Sequence, residues 1–126
     1  MRHNMDAFAA GDIDGVVDDY AIDAVIVNDR YGAVCGHKAI KALFHKLLTE
    51  VFPPENIVVH TCEIIIGPLA FYTWRSDNAS FGTDTFVVED GKITLQTFAA
   101  KFNGDGVHFA TAGKQHEPQI LAKGSV

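Results

Sequence analysis

The sequence predicts an α+β domain in which a curved antiparallel sheet wraps a long helix, with two shorter helices at the N-terminus. Three observations carry this expectation. Helix-period apolar patterning is confined to the residues before Pro53, and runs rich in β-branched and aromatic residues fill the chain from Ile57 to Phe102. A chain of 126 residues has room for one core, and helices followed by a strand meander pack as segregated layers.

The helices come first. Met5, Phe8 and Ala9 share one face of a short helix that Gly11 stops. Asp12 is placed to cap a second helix, in which Ile13, Val16, Val17 and Tyr20 recur at i, i+3, i+4 and i+7. Ala24 to Asp29 reads as a strand ended by Tyr31-Gly32. After Gly36, the stripe Ile40, Leu43, Phe44, Leu47, Leu48 and Val51 is the strongest helical signal, and Pro53-Pro54 ends it. The strands Ile57 to Ile66, Ala70 to Arg75, Phe81 to Val88 and Ile93 to Phe102 follow. Gly67-Pro68, Ser76-Asp77-Asn78 and the hairpin signal Glu89-Asp90-Gly91 separate them. One domain over residues 1–102 is expected. Gly104, Gly106, Gly113 and Pro118 break any periodicity in residues 103–126, which read as a tail or exchanged arm.

Composition narrows the function. Hydrophobic residues make up 48% and charged residues 21%, the balance of a soluble globular domain. A net charge of -6 without a Lys- or Arg-rich stretch argues against nucleic acid as a partner. No apolar run approaches the ~20 residues of a membrane span. Met1 to Asp6 lacks the apolar centre of a signal peptide. Cys35 and Cys62 stand apart without a paired motif, as reduced thiols in small apolar positions of a cytoplasmic protein do. His37 and His45 are eight apart and His60-Thr61-Cys62 offers two same-face ligands, so no metal is expected. No glycine-rich nucleotide loop is present, so no cofactor is expected either.

Several motifs together carry a resemblance. Gly11-Asp12-Ile13-Asp14 precedes an amphipathic helix ending at Tyr20-Ala21, and a strand then runs to Asp29. Gly36-His37-Lys38-Ala39-Ile40 opens the long helix, and Glu89-Asp90-Gly91-Lys92-Ile93 makes a late hairpin. Over residues 5–102 the chain resembles the nuclear-transport-factor-2-like superfamily, in its SnoaL-like polyketide cyclase and ketosteroid isomerase branches. The resemblance implies a cone-shaped sheet around an internal pocket, a small hydrophobic or ring-shaped ligand, and often a homodimer. It also implies cofactor-free proton transfer of isomerase or cyclase type. The same fold hosts non-catalytic binding modules, so function belongs to the site. An open curved sheet that one helix cannot cover also predicts a homodimer packed through the outer sheet face.

The isomerase mechanism needs a carboxylate base and a neutral donor for the enolate oxygen, a donor that can be a carboxylic acid kept protonated by an apolar site. The resemblance places the base at Asp29 and the acid at Asp84. Asp84 lies among Phe81, Phe86, Val87 and Val88, so facing inward it would be desolvated and its pKa raised. Facing outward it would answer a Thr or Lys on a neighbouring strand. If it faces in, Phe86 and Val88 share its face, and Gln96, Phe98 and Ala100 match on the last strand. Counting forward from Tyr20-Ala21 puts Asn28 at the base position, whereas counting back from Tyr31-Gly32 puts Asp29 there. A one-residue slip reverses the facing side, so the two are exclusive unless a bulge intervenes, and Asp29 is the expectation.

The isomerase's donor tyrosine has no counterpart: its position falls on Asn4, beside His3, and Phe44 and His45 stand where the long helix would supply a supporting one. An epoxide-hydrolase Asp-Arg-Asp set would need Arg where Gly82 stands. Tyr72 and Trp74 are expected to divide, with Phe71, between core, pocket wall and dimer face. The expected pocket is Asn28, Phe44, His60, Phe86, Gln96 and Phe98 around Asp29 and Asp84.

Overall fold

The computed structural model describes residues 2–53 and 56–103. The expected tail lies, from residue 104 on, outside the described residues. The elements are α1 (Arg2–Ala9), α2 (Ile13–Asp18), β1 (Tyr20–Asn28), β2 (Gly32–Cys35), α3 (His37–Lys46), β3 (Val58–Ile66), β4 (Leu69–Ser76), β5 (Ala79–Glu89) and β6 (Lys92–Phe102).

Asp12 caps α2 as its position predicts, its Oδ1 accepting the Gly15 N–H at 3.0 Å. The helix ends at Asp18, before the expected Tyr20-Ala21. The sheet wins this contest: Tyr20 pairs with Ile93 on β6, and the Ile93 N–H donates to the Asp19 carbonyl at 2.8 Å. α3 begins where expected and then widens into one π turn at Leu47–Val51, closed by the Phe52 N–H on the Leu47 carbonyl. The inserted residue rotates the end of the stripe so that Leu47, Val51 and Phe52 are all buried.

The sheet order is β2-β1-β6-β5-β4-β3, with β1 and β6 parallel and every other pair antiparallel. The β5–β6 hairpin turns through Asp90 and Gly91, whose φ of 51° and 78° suit a two-residue turn with both residues left-handed. β2 was not expected. It forms because Gly32 to Cys35 doubles back to pair with β1 from Asn28 to Val25. Register shifts in β3 between His60 and Cys62 and in β6 between Ile93 and Leu95 bend the sheet into a cone.

The concave face buries Tyr20, Ala24 and Ile26 of β1, Tyr72 and Trp74 of β4 and Phe86 of β5. Val16, Val17, Ile40, Leu43 and Phe44 close one side of this core from the helices. The outer face leaves Val27, Ile64, Ile66, Phe81 and Leu95 exposed. Cys35 and Cys62 are free thiols, and both are exposed rather than packed as small apolar residues. No described helix is long and apolar enough to cross a membrane.

Candidate functional site

Strand alternation puts Gly82, Asp84 and Phe86 of β5 on the concave face. Tyr72 of β4 and Phe98 of β6 stand directly across from Asp84, while Trp74 faces Gly82 and Gln96 faces Phe86. Gly82 is where backbone and ring approach most closely. A Cβ there would lie 2.3 Å from Trp74 Cε2 and Cζ2, so the indole rests on bare main chain. The same contact leaves no room for an arginine at this position.

Gln96 ties the floor together. Its Nε2–H donates to Asp84 Oδ1 at 3.1 Å, and its Oε1 accepts from the Tyr20 hydroxyl. The amide can serve both groups only in this orientation while Asp84 is ionised, since a carboxylate accepts and cannot donate. Burial lifts the Asp84 pKa to about 6, with the Gln96 hydrogen bond and the nearby Trp74 indole N–H holding it down. That indole N–H is buried and falls short of a hydrogen bond of its own. Asp84 lies deep in the cone, yet its side chain is only half-buried because it faces a cavity. Burial, and then the negative charge of Asp84, push the Tyr20 hydroxyl well above its ordinary value.

The cavity has a volume of about 730 Å³, within the range of small-molecule sites. Tyr72, Trp74, Asp84, Phe86, Gln96 and Phe98 form its floor. Asn4, Met5 and Phe8 of α1 and Phe44 and Leu47 of the long helix form its wall, with Asp6, His45, Ile57 and His60 also lining it. Burial drops the His60 pKa, partly countered by Glu63. Among the described residues no three His, Cys, Asp or Glu side chains gather as metal ligands would.

Of the residues expected from sequence, Asp84, Phe44, His60, Phe86, Gln96 and Phe98 meet in this cavity. Asn28 and Asp29 do not. They border a separate space of about 10 Å³, room for roughly one water, beyond Leu47, Phe52, Trp74 and Phe98. The register question resolves toward Asn28, the last residue of β1, which is 6% exposed. Its Nδ2–H donates to the Phe98 carbonyl at 2.7 Å, and its Oδ1 accepts the Arg30 and Tyr31 N–H groups at 2.8 and 3.0 Å. Asp29 lies one residue past the strand, in the turn, and is exposed. No bulge carries it inward, so Asp29 and Asp84 do not face one another across a shared cavity. Val88, two residues beyond Phe86, packs against the same core and so keeps the Asp84 face, as expected.

Two contributors escaped the sequence reading. Tyr20 looked like the end of a helical stripe, and only its pairing with β6 aims its hydroxyl at Gln96. The Gly82–Trp74 seat had one visible signal, a glycine inside a strand. Asn4 does reach the cavity wall, as the count from Gly11 placed it, but its Nδ2–H is taken by the Val16 carbonyl at 3.3 Å.

The profile of the SnoaL-like domain matches residues 1–96, and the chain belongs to that family. No curated protein matches it in sequence. A Kribbella flavida crystal structure superposes with a TM-score of 0.70 at 14% identity, covering 90% of this chain and 93% of that one. A SnoaL-like protein of unknown function from Burkholderia thailandensis gives 0.69 at 15% identity, covering 79% and 89%. A Sinorhizobium meliloti protein provisionally described as a polyketide cyclase gives 0.65 at 19% identity, covering 74% and 86%. At these identities the likeness is one of fold.

Proposed function

We propose that this protein holds a ring-sized, largely apolar molecule in the concave cavity and that Asp84 exchanges a proton with it, without a cofactor. One observation carries the reading. A single carboxyl, raised to a pKa of about 6, sits among Tyr72, Trp74, Phe86 and Phe98 at the floor of a 730 Å³ cavity. An acid of that strength is mostly ionised at neutral pH, yet close enough to it to take a proton and return it. The base would remove a proton beside a carbonyl, leaving an enolate. Returning the same proton to another carbon completes an isomerisation with no oxidant and no leaving group. Gln96 holds one carboxyl oxygen in place, and Tyr20 holds Gln96.

Two solved neighbours carry the provisional descriptions polyketide cyclase and ketosteroid isomerase, and the second names a reaction of this kind. The exclusion of Asp29 from the cavity favours a second reading, a binder that performs no chemistry. The discriminating measurement is deuterium exchange at the α-carbons of 2-tetralone, with binding followed by the fluorescence of Trp74, the chain's one tryptophan. Asp84→Asn should bind within a few-fold of wild type and lose exchange by about a hundredfold or more. Equal exchange in the two proteins would leave the binder. No binding at all would remove the ligand site.

A homodimer through the outer sheet face is part of this proposal, supported by exposed Val27, Ile64, Ile66, Phe81 and Leu95. Sedimentation at ~50 µM, above a typical dimer dissociation constant of about 1 µM, should show two chains. A monomer there would count against it. The exposed thiols Cys35 and Cys62 support a reducing, cytoplasmic setting.

A further inference from the structure

The charges around the cavity are all of one kind. No lysine or arginine lines it among the described residues, while Asp84 stands at its floor and Asp6 at its edge. The other titratable groups facing the space are Tyr20, Tyr72, His45 and His60. Burial keeps both Tyr20 and His60 on the neutral side at pH 7. Asp84 therefore has no cation to pair with. An ionised carboxylate can accept about four hydrogen bonds, and here it has the one from Gln96, with the Trp74 N–H close by but unbonded. Such a group is an anion awaiting a counter-charge.

The rings around it favour the same sign. Tyr72 and Phe98 flank Asp84 on the neighbouring strands, and Trp74 and Phe86 lie diagonally and two residues on. They are not stacked on one another: Tyr72 meets Phe86 at 76°, Phe52 meets Trp74 at 74°, and His60 meets Tyr72 at 73°, so in none of these pairs do two ring faces cover each other. Aromatic faces carry partial negative charge and hold organic cations. The net charge of -6 over the chain adds a field of the same sign. A ligand that arrives as an anion, while Asp84 is ionised, would meet the opposite of what it needs.

We propose that the natural ligand of this cavity bears a positive charge, a ring-borne amine or quaternary ammonium group seated over Asp84 within the aromatic walls. The inference rests on the reading of the cavity as a ligand site and adds the chemical class. The test compares benzyltrimethylammonium with its neutral isostere neopentylbenzene on the full chain, read by Trp74 fluorescence. At pH 8 the cation should bind at least about tenfold tighter. In Asp84→Asn that preference should fall to about one, with neopentylbenzene affinity kept. Between pH 8 and 5, protonation of Asp84 should by itself weaken the cation about tenfold. Any fall that remains in Asp84→Asn belongs to the other groups that face the cavity, not to this carboxylate. Neopentylbenzene binding as tightly as the cation in wild type overturns this inference and leaves the ligand site standing. Binding of neither probe overturns both.

Discussion

The two acidic positions that stand out in the sequence end in opposite circumstances. At the Asn28–Asp29 corner the buried amide is engaged by the backbone at both ends. Asn28 gives its amide to Phe98 and its carbonyl to two backbone N–H groups, while Asp29 faces solvent. At the Asp84 floor the polar group sits in mid-strand, far from any turn, and receives one side-chain hydrogen bond. Backbone needs absorb the first site. The second is carried by the fold and faces the cavity. A polar side chain beside a turn is therefore a weak functional signal, and one in the middle of an inward strand face is a stronger one.

This contrast can be broken experimentally. The largest effect should come from the seat beneath Trp74. Gly82→Val forces side-chain atoms into the indole and should cost roughly 3 kcal/mol in urea unfolding, with a shift in Trp74 emission. Unchanged stability and emission would mean that the ring does not rest there.

Asn28→Ala should come next, at about 2 kcal/mol, because it strands two N–H groups and the Phe98 carbonyl. Cavity ligands should bind it normally. If instead binding collapses while stability holds, the corner is functional and the comparison fails.

Asp84→Asn should move stability the other way. The folded protein raises this acid's pKa from 3.8 to about 6, so the charged form is the costly one. Wild type therefore loses stability as pH rises from about 4 to 6 and stays at the lower level above that. The variant should gain about 1–2 kcal/mol at pH 7, discounted for the open cavity, and nothing below pH 4. A variant less stable than wild type at pH 7 would show that the carboxylate is satisfied after all. The smallest effect belongs to Asp29→Asn, expected within about 0.5 kcal/mol of wild type and silent in ligand binding.

Much of the architecture is legible in local sequence. The Asp12 cap, the stripe from Ile40 to Val51 and the Asp90-Gly91 turn each act within a few residues, and each appears where its pattern places it. Local reading also overran its reach. Tyr20 keeps helical spacing with Ile13 and Val16, yet a strand 73 residues further on, through Ile93, takes it into the sheet. The π turn at Leu47 to Val51 leaves no mark in the apolar periodicity, because Leu47 and Val51 keep an i, i+4 spacing that an α-helix would also bury, and only the burial of Phe52 departs from it.

What the sequence by itself determined was the set of elements, their order, and which residue types each face of a strand would carry, since periodicity, caps and turns are short-range. Only the tertiary structure decided which of those faces met. The Tyr20 hydroxyl reaches Gln96 across 76 positions, and Asn28 reaches the Phe98 carbonyl across 70. Those contacts, and the cavity above Asp84, depend on where the sheet bends. That bend comes from single-residue register shifts, each of which reverses the facing of everything beyond it.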